Sequence, residues 1–171
     1  MFSSEMHRRR YPQDTSFIKC SYQLSPMMAK VLLDLPLWKL GEFMLSYIET
    51  PEAPKPFSNY SQAVEVRAGA RFLHISGQVG MTVDGTIPAD EAAQHELAWQ
   101  NILAILASRN MTARNLVDVQ AFIINPRSVG LYRQVRDRML EGAKPASTLL
   151  IVTGLADPKL AVEIAAIAAS S

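Results

Sequence analysis

Leu160-Ala-Val-Glu163-Ile-Ala-Ala-Ile-Ala168 is the most apolar run of the chain, and its single charge sits in the middle. Nine residues bounded upstream by the loop-forming stretch 154–158 (Gly-Leu-Ala-Asp-Pro) predict a closing β-strand. A carboxylate among such neighbours loses hydration, at a cost on the order of several kcal/mol unless it is compensated. Glu163 is therefore paired structurally, placed on a solvent-facing edge, or part of a site, and it is the leading candidate for a functional residue.

Working outward from that strand, residues 148–152 (Thr-Leu-Leu-Ile-Val) predict another strand, and Gly142 marks the end of the helix before it. Asn125-Pro126 supplies an N-cap and a first-turn proline for a helix to about Leu140, with Leu131 or Tyr132, Val135 and Met139 on its buried stripe. Residues 117–124 alternate as a strand. A longer helix is expected over 89–109, opened by Pro88 and Asp90-Glu91. Trp99, Ile102, Leu103 and Leu106 fall at i, i+3, i+4 and i+7 on one face. Residues 62–66 and 72–76, joined by the turn Ala68-Gly69, predict a hairpin.

The resulting order, ββαβαββ, predicts an α+β fold with two helices packed on one face of a mixed sheet. Ala121, Ile123, Leu149, Ile151, Ile164 and Ile167 are more apolar strand positions than two helices are expected to cover. A second copy of the chain is the simplest cover, so a homo-oligomer is expected.

The 171 residues are 49% hydrophobic and 19% charged, and the formal net charge is +1. No overall field attracts nucleic acid or an anionic membrane surface. The one cysteine, Cys20, excludes an internal disulfide and a cysteine-rich zinc site. His7, His74 and His95 lie far apart, so no metal and no cofactor is expected, and a reducing, cytoplasmic setting fits. His74 reads as a strand-packing residue and His95 as lying on a helix flank. The nucleophile elbow, the P-loop, the dinucleotide-binding glycine motif and the zinc-protease motif are all missing.

Residues 1–56 differ in style and are assigned to an extension, partly disordered, ahead of a domain at 57–171. Arg8-Arg9-Arg10 is compatible with a transit peptide or an RNA-binding arm, but a basic triplet in a loose tail is the simpler reading. The apolar run from Pro26 to Trp38 is broken by Pro36 and by charges, too short to span a bilayer. Translation from Met44 or a nearby methionine is the alternative expectation for this region.

Among other candidates, Gly77 in Ser76-Gly77-Gln78 allows close approach of the backbone to a ligand at a strand end. Tyr60 follows a proline-rich lead-in and either lines a site or anchors the chain. Arg127, Arg133, Arg136 and Arg138 cluster on the second helix and read as a solvated face, with an inward turn of Arg136 as the alternative.

Four segments together resemble the RidA/YjgF family. Phe57-Ser-Asn-Tyr60-Ser-Gln-Ala-Val is similar to its "GPYSQAV" opening, and Ile75-Ser76-Gly77-Gln78 to its "SGQ" strand end. Gln94 and Asn101 fit its first helix, Lys144-Pro145-Ala146-Ser147-Thr148 its "PARS/PART" segment, and Val162-Glu163-Ile164-Ala-Ala-Ile-Ala its closing "VEIEAIA". The resemblance runs from about residue 50 to 168. It implies a chorismate-mutase-like fold assembled as a homotrimer, with ligand clefts between subunits. In members active as enamine/imine deaminases it implies an arginine clamp for the substrate carboxylate. It further implies a water-positioning role for the glutamate matching Glu163 and a cleft-lining tyrosine matching Tyr60.

The clamp is where the chain departs: the arginine position is Ser147, which has neither charge nor a fork of donors. The second glutamate of the closing motif is Ala165. The expected function is thus binding of a small metabolite in intersubunit clefts lined by Tyr60, Ser76, Gly77, Ser147, Arg136 and Glu163. The alternative is 2-imino acid hydrolysis by a water that Glu163 positions. A ribonuclease or translation inhibitor is disfavoured by the near-neutral charge.

Overall fold

The computed structural model describes residues 44–171. The readings of Cys20, the arginine triplet and the 26–38 run lie outside the described residues.

Among the described residues, six strands and two α-helices follow in the order β1 Leu45–Ile48, β2 Ala63–Val66, β3 Arg71–Val79, α1 Glu91–Ala107, β4 Leu116–Ile123, α2 Val129–Leu140, β5 Ala146–Ile151 and β6 Val162–Ser170. The expected α+β architecture holds. A four-stranded sheet has the order β3-β6-β4-β5, with β6 antiparallel to both neighbours and β4 parallel to β5. The strand of Glu163 is thus central. β3 and β4 are parallel with β6 inserted between them, and both crossovers carry a helix.

Asp90 caps α1 by accepting from the Ala93 N–H at 2.9 Å, and Asn125 caps the short 3₁₀ turn Pro126–Ser128 that leads into α2. After α2 the backbone turns left-handed at Glu141 and Gly142, as the sequence predicts for a glycine stop.

The core lies between the helices and one sheet face. Trp99, Ile102 and Leu106 of α1 and Tyr132, Val135 and Leu140 of α2 pack on Val119, Ala121, Ile123, Val162, Ile164 and Ala166. Strand parity then assigns the other face. Phe72 and His74 of β3, Asp118, Gln120 and Phe122 of β4, Thr148 and Leu150 of β5, and Glu163, Ala165 and Ile167 of β6 point away from the helices.

Two expectations change. Ala121, Ile123 and Ile164 are covered by the helices, Leu149 and Ile151 share that face at the sheet edge, and Ile167 alone belongs to the open face. The open face is therefore mixed rather than uniformly apolar, although Phe72 and Leu150 are about half exposed on it (50% and 49%). The second change concerns the hairpin. β2 pairs backward with β1, Leu45 opposite Val66 and Ile48 opposite Ala63, and not forward with β3, whose ladder runs to β6.

β1 was hidden because it is four residues long and sits in proline-rich sequence assigned to the extension. Its return loop is fastened by the Gln62 side chain, which donates to the carbonyls of Thr50, Ala53 and Pro54 and accepts from the Thr50 N–H.

Candidate functional site

Six residues were singled out from sequence, and the fold sorts them into two groups. Tyr60, Ser147 and Arg136 form the first. Ser147 stands opposite Val119 and so faces the helix side of β5, the sheet's edge strand. Tyr60 is brought there by Ser61, buried to 1% exposure, whose hydroxyl donates to the Lys144 carbonyl at 2.6 Å and whose N–H donates to Pro145 O at 3.3 Å. Arg136 leaves the solvated face of α2 and is buried, as the sequence reading singled out. Its Nε and Nη2 both donate to Asp137 Oδ1 (2.9 and 2.8 Å), Nη2 donates to the Ser58 hydroxyl at 3.2 Å, and the guanidinium lies 5.9 Å from the Tyr132 ring centroid.

Together these side chains line a cavity of about 350 Å³ with Phe57, Val129, Arg133, Leu149, Leu150 and Ile151. One wall is polar and cationic, the other aliphatic, the usual composition of a small-molecule site. Sequence reasoning did not select Arg133 or Ser58. The arginine cluster on the second helix was visible, but nothing in it separated a cavity-lining arginine from a solvated one. Lys144 contributes its carbonyl to Ser61, and its side chain borders a separate shallow cavity with Glu49, Lys55 and Tyr60.

Ser76, Gly77 and Glu163 form the second group, on the open face. The β3–β6 register slips between Ile75 and Gln78, a bulge that places Gly77 against the Glu163 side chain. A Cβ on Gly77 would stand 1.9 Å from Glu163 Oε1 and 2.7 Å from its Cδ, so only glycine leaves the carboxylate where it is. Glu163 is half-buried opposite Phe122, and among the described residues no side chain or N–H donates to it. Among the described residues the partner sought for Glu163 is thus absent: Arg136 is on the other side of the sheet and already engaged. A second cavity of about 240 Å³ lies next to this group, lined by His74, Ser76, Asp118, Gln120, Ala165 and Ile167.

Two amide side chains of α1 hold this group in position. Gln94, 3% exposed, donates to Pro88 O and Lys159 O (both 2.8 Å) and accepts from the Ala161 N–H at 2.7 Å, two residues before Glu163. Asn101 donates to Val79 O and Met81 O at the end of β3 (3.2 and 3.0 Å). Gly80 lies so close to Gln94 that a Cβ there would stand 2.5 Å from the Gln94 Cα.

His95 is not on a helix flank but fully buried, and its ring lies 6.0 Å from that of Tyr132. The helical spacing that put Trp99 inside also puts residue 95 inside, four positions earlier. Burial holds the His95 imidazole below its ordinary pKa, with nearby Glu91 opposing. Burial likewise pushes the Tyr132 phenol up. Among the described residues no group of three His, Cys, Asp or Glu side chains is placed to hold a metal ion, and no helix is long and apolar enough to cross a membrane.

A family model described as Endoribonuclease L-PSP matches residues 50–170. Among curated proteins, a 2-iminobutanoate/2-iminopropanoate deaminase of Dermatophagoides farinae is 34% identical, covering 70% of this chain and 92% of its own. The mitochondrial protein MMF1 of Saccharomyces cerevisiae is 28% identical over 73% of this chain and 85% of its own. Among solved structures, a Yersinia pestis protein of unknown function in the conserved Rid family, YyfB, superposes with a TM-score of 0.66 at 31% identity, covering 73% of this chain and 98% of the other. The bulge at Gly77, the Ser61 tether beside Pro145 and the central strand of Glu163 are the motif segments of the sequence set in place. On those grounds the chain belongs to the RidA/YjgF family.

Proposed function

We propose that the protein binds a small metabolite in clefts between the subunits of a homotrimer, each cleft combining the Tyr60–Ser147–Arg136 group of one chain with the Ser76–Gly77–Glu163 group of its neighbour. The observation that carries this reading is the placement of the two groups on opposite faces of one sheet. A single chain cannot close a site around both, whereas a neighbour seated on the open face brings the second to the first. The half-exposed Phe72 and Leu150 give that contact apolar area to bury.

With Ser147 in the arginine position, β5 supplies no guanidinium to clamp a 2-imino acid as in the family's deaminases. Binding without deamination is therefore the leading reading. Deamination is the second, favoured by the Dermatophagoides relative and by a Glu163 carboxylate that accepts no hydrogen bond from the described residues. In it Glu163 orients a water for attack on the C=N carbon, and ammonia leaves from the resulting tetrahedral carbon. A third class, RNA cleavage, rests on names alone, those of the family model and of some similar structures, against a net charge of +1. A cytoplasmic setting remains part of the proposal.

Timing ammonia release from enzymatically generated 2-aminoacrylate separates the first two readings. A rate equal to buffer supports the binding protein. A rate above buffer that Glu163→Ala abolishes replaces it with the deaminase.

A further inference from the structure

Four arginines lie on or next to α2, and two of them are already engaged: Arg136 with Asp137 and Ser58, and Arg138 with Glu96. Arg127 is exposed at the 3₁₀ turn. Arg133 is different. It is half-buried, it lines the 350 Å³ cavity, and among the described residues it has no hydrogen-bond or ion-pair partner. A guanidinium with its fork of donors unused, in a concave site, is suited to a planar anion. The only carboxylate beside it on α2, Asp137, is taken up by Arg136.

The rest of the cavity limits the size and nature of that anion. Val129, Leu149 and Ile151 form an aliphatic wall, and Ile151 and Phe57 remain 53% and 87% exposed. Serine at position 147 leaves free the volume that an arginine side chain would occupy. About 350 Å³ is at the lower end of the range of roughly 300–1,000 Å³ in which drug-sized ligands are held. That is more room than a three- or four-carbon acid fills.

We infer that Arg133 anchors the head of a monocarboxylate in this cavity and that the space opened by Ser147, with its aliphatic wall, takes an apolar chain of medium length. The inference rests on the cleft reading above. It moves the cationic anchor from β5 to α2 and makes Ser147 a determinant of ligand length.

Calorimetric titration of the full chain with butanoate, hexanoate, octanoate and octanamide tests it. Binding is expected to tighten by about three- to fourfold per methylene until the cavity is filled. Octanoate should bind about ten- to a hundredfold more tightly than octanamide. Arg133→Gln should erase most of that difference by weakening octanoate far more than octanamide, and Ser147→Trp should weaken all long ligands by filling the cavity. Equal binding of octanoate and octanamide, or a carboxylate preference that survives Arg133→Gln, overturns the role of Arg133 and leaves the cleft reading standing. Octanoate binding untouched by both Arg133→Gln and Ser147→Trp places the ligand elsewhere and overturns the inference together with the cavity's part in the cleft.

Discussion

Replacing Gly77 by alanine is a way to disturb Glu163 without altering it. The added methyl would stand 1.9 Å from Glu163 Oε1, 2.7 Å from Cδ and 2.9 Å from Cγ. All three are atoms of one flexible side chain, half-buried and with no hydrogen-bond donor among the described residues. The clash is relieved when Glu163 leaves its rotamer, at about 0.5–1.5 kcal/mol. Alanine also restricts the unfolded chain, which offsets about 0.4–1 kcal/mol of that, since Gly77 does not have a positive φ. The net change in stability is thus within about 1 kcal/mol, or a Tm shift of no more than about 4 °C. Gly80→Ala is the internal control. Its methyl would stand 2.3 Å from Gln94 Cβ, 2.5 Å from Cα and 2.6 Å from the carbonyl oxygen, and a helix backbone cannot swing away. Overpacking there is expected to cost about 3 kcal/mol or more, a Tm loss of about 10 °C.

Scanning calorimetry of both variants gives the first readout, and a crystal structure of Gly77→Ala the second. A small Tm change with the carboxylate displaced by about an ångström or more is expected, with any Glu163-dependent turnover reduced about a hundredfold. If Gly77→Ala melts as early as Gly80→Ala, the carboxylate is rigidly held and its description as a free, functional group is wrong.

The buried His95 makes stability pH-dependent. Its folded pKa lies below the ordinary value, so the unfolded chain binds the extra proton first, and stability falls as pH drops through about 6.5, by at most about 1.4 kcal/mol per pH unit. His95→Gln should flatten the Tm profile between about pH 7.5 and 5; an unchanged profile would place the titration elsewhere. Gln94→Ala removes three hydrogen bonds and leaves the Ala161 N–H buried without an acceptor, so a loss of about 2–4 kcal/mol in chemical denaturation is expected. A loss below about 1 kcal/mol would mean that the loop before β6 is held by other contacts. Ser61→Ala removes the hydroxyl bond to the Lys144 carbonyl and keeps the backbone bond to Pro145, so the 58–61 segment loosens; ligand binding should weaken more than Tm falls, and the reverse order would make Ser61 a purely structural residue.

Much of this fold was legible because its helices and strands carry strong periodicity. The Trp99–Leu106 stripe, the Asn125-Pro126 start of the second helix and the apolar run around Glu163 each matched the element that formed. β1 was not legible, because four residues beside prolines carry too little pattern, and the partner of β2 is a long-range choice that local sequence does not encode. In the site, Gly77 and Glu163 were visible as residue types out of keeping with their surroundings, and the bulge that joins them was not. Arg133 was hidden for a different reason: an arginine reads alike on a solvated face and in a cavity until the packing of α2 on β5 decides.

Intersubunit assembly of the cleft is tested most directly by cross-linking. In a Cys20→Ser background, Ser147→Cys chains and tagged Glu163→Cys chains are co-expressed and treated with a short bis-maleimide. The two positions lie on opposite faces of the sheet within a chain, so linkage between them is expected to join chains. Cross-linked heterodimers between tagged and untagged chains, much weaker in either single variant alone, are the expected result. Heterodimers no more abundant than the single-variant background, in an otherwise intact oligomer, would contradict a cleft built from two subunits.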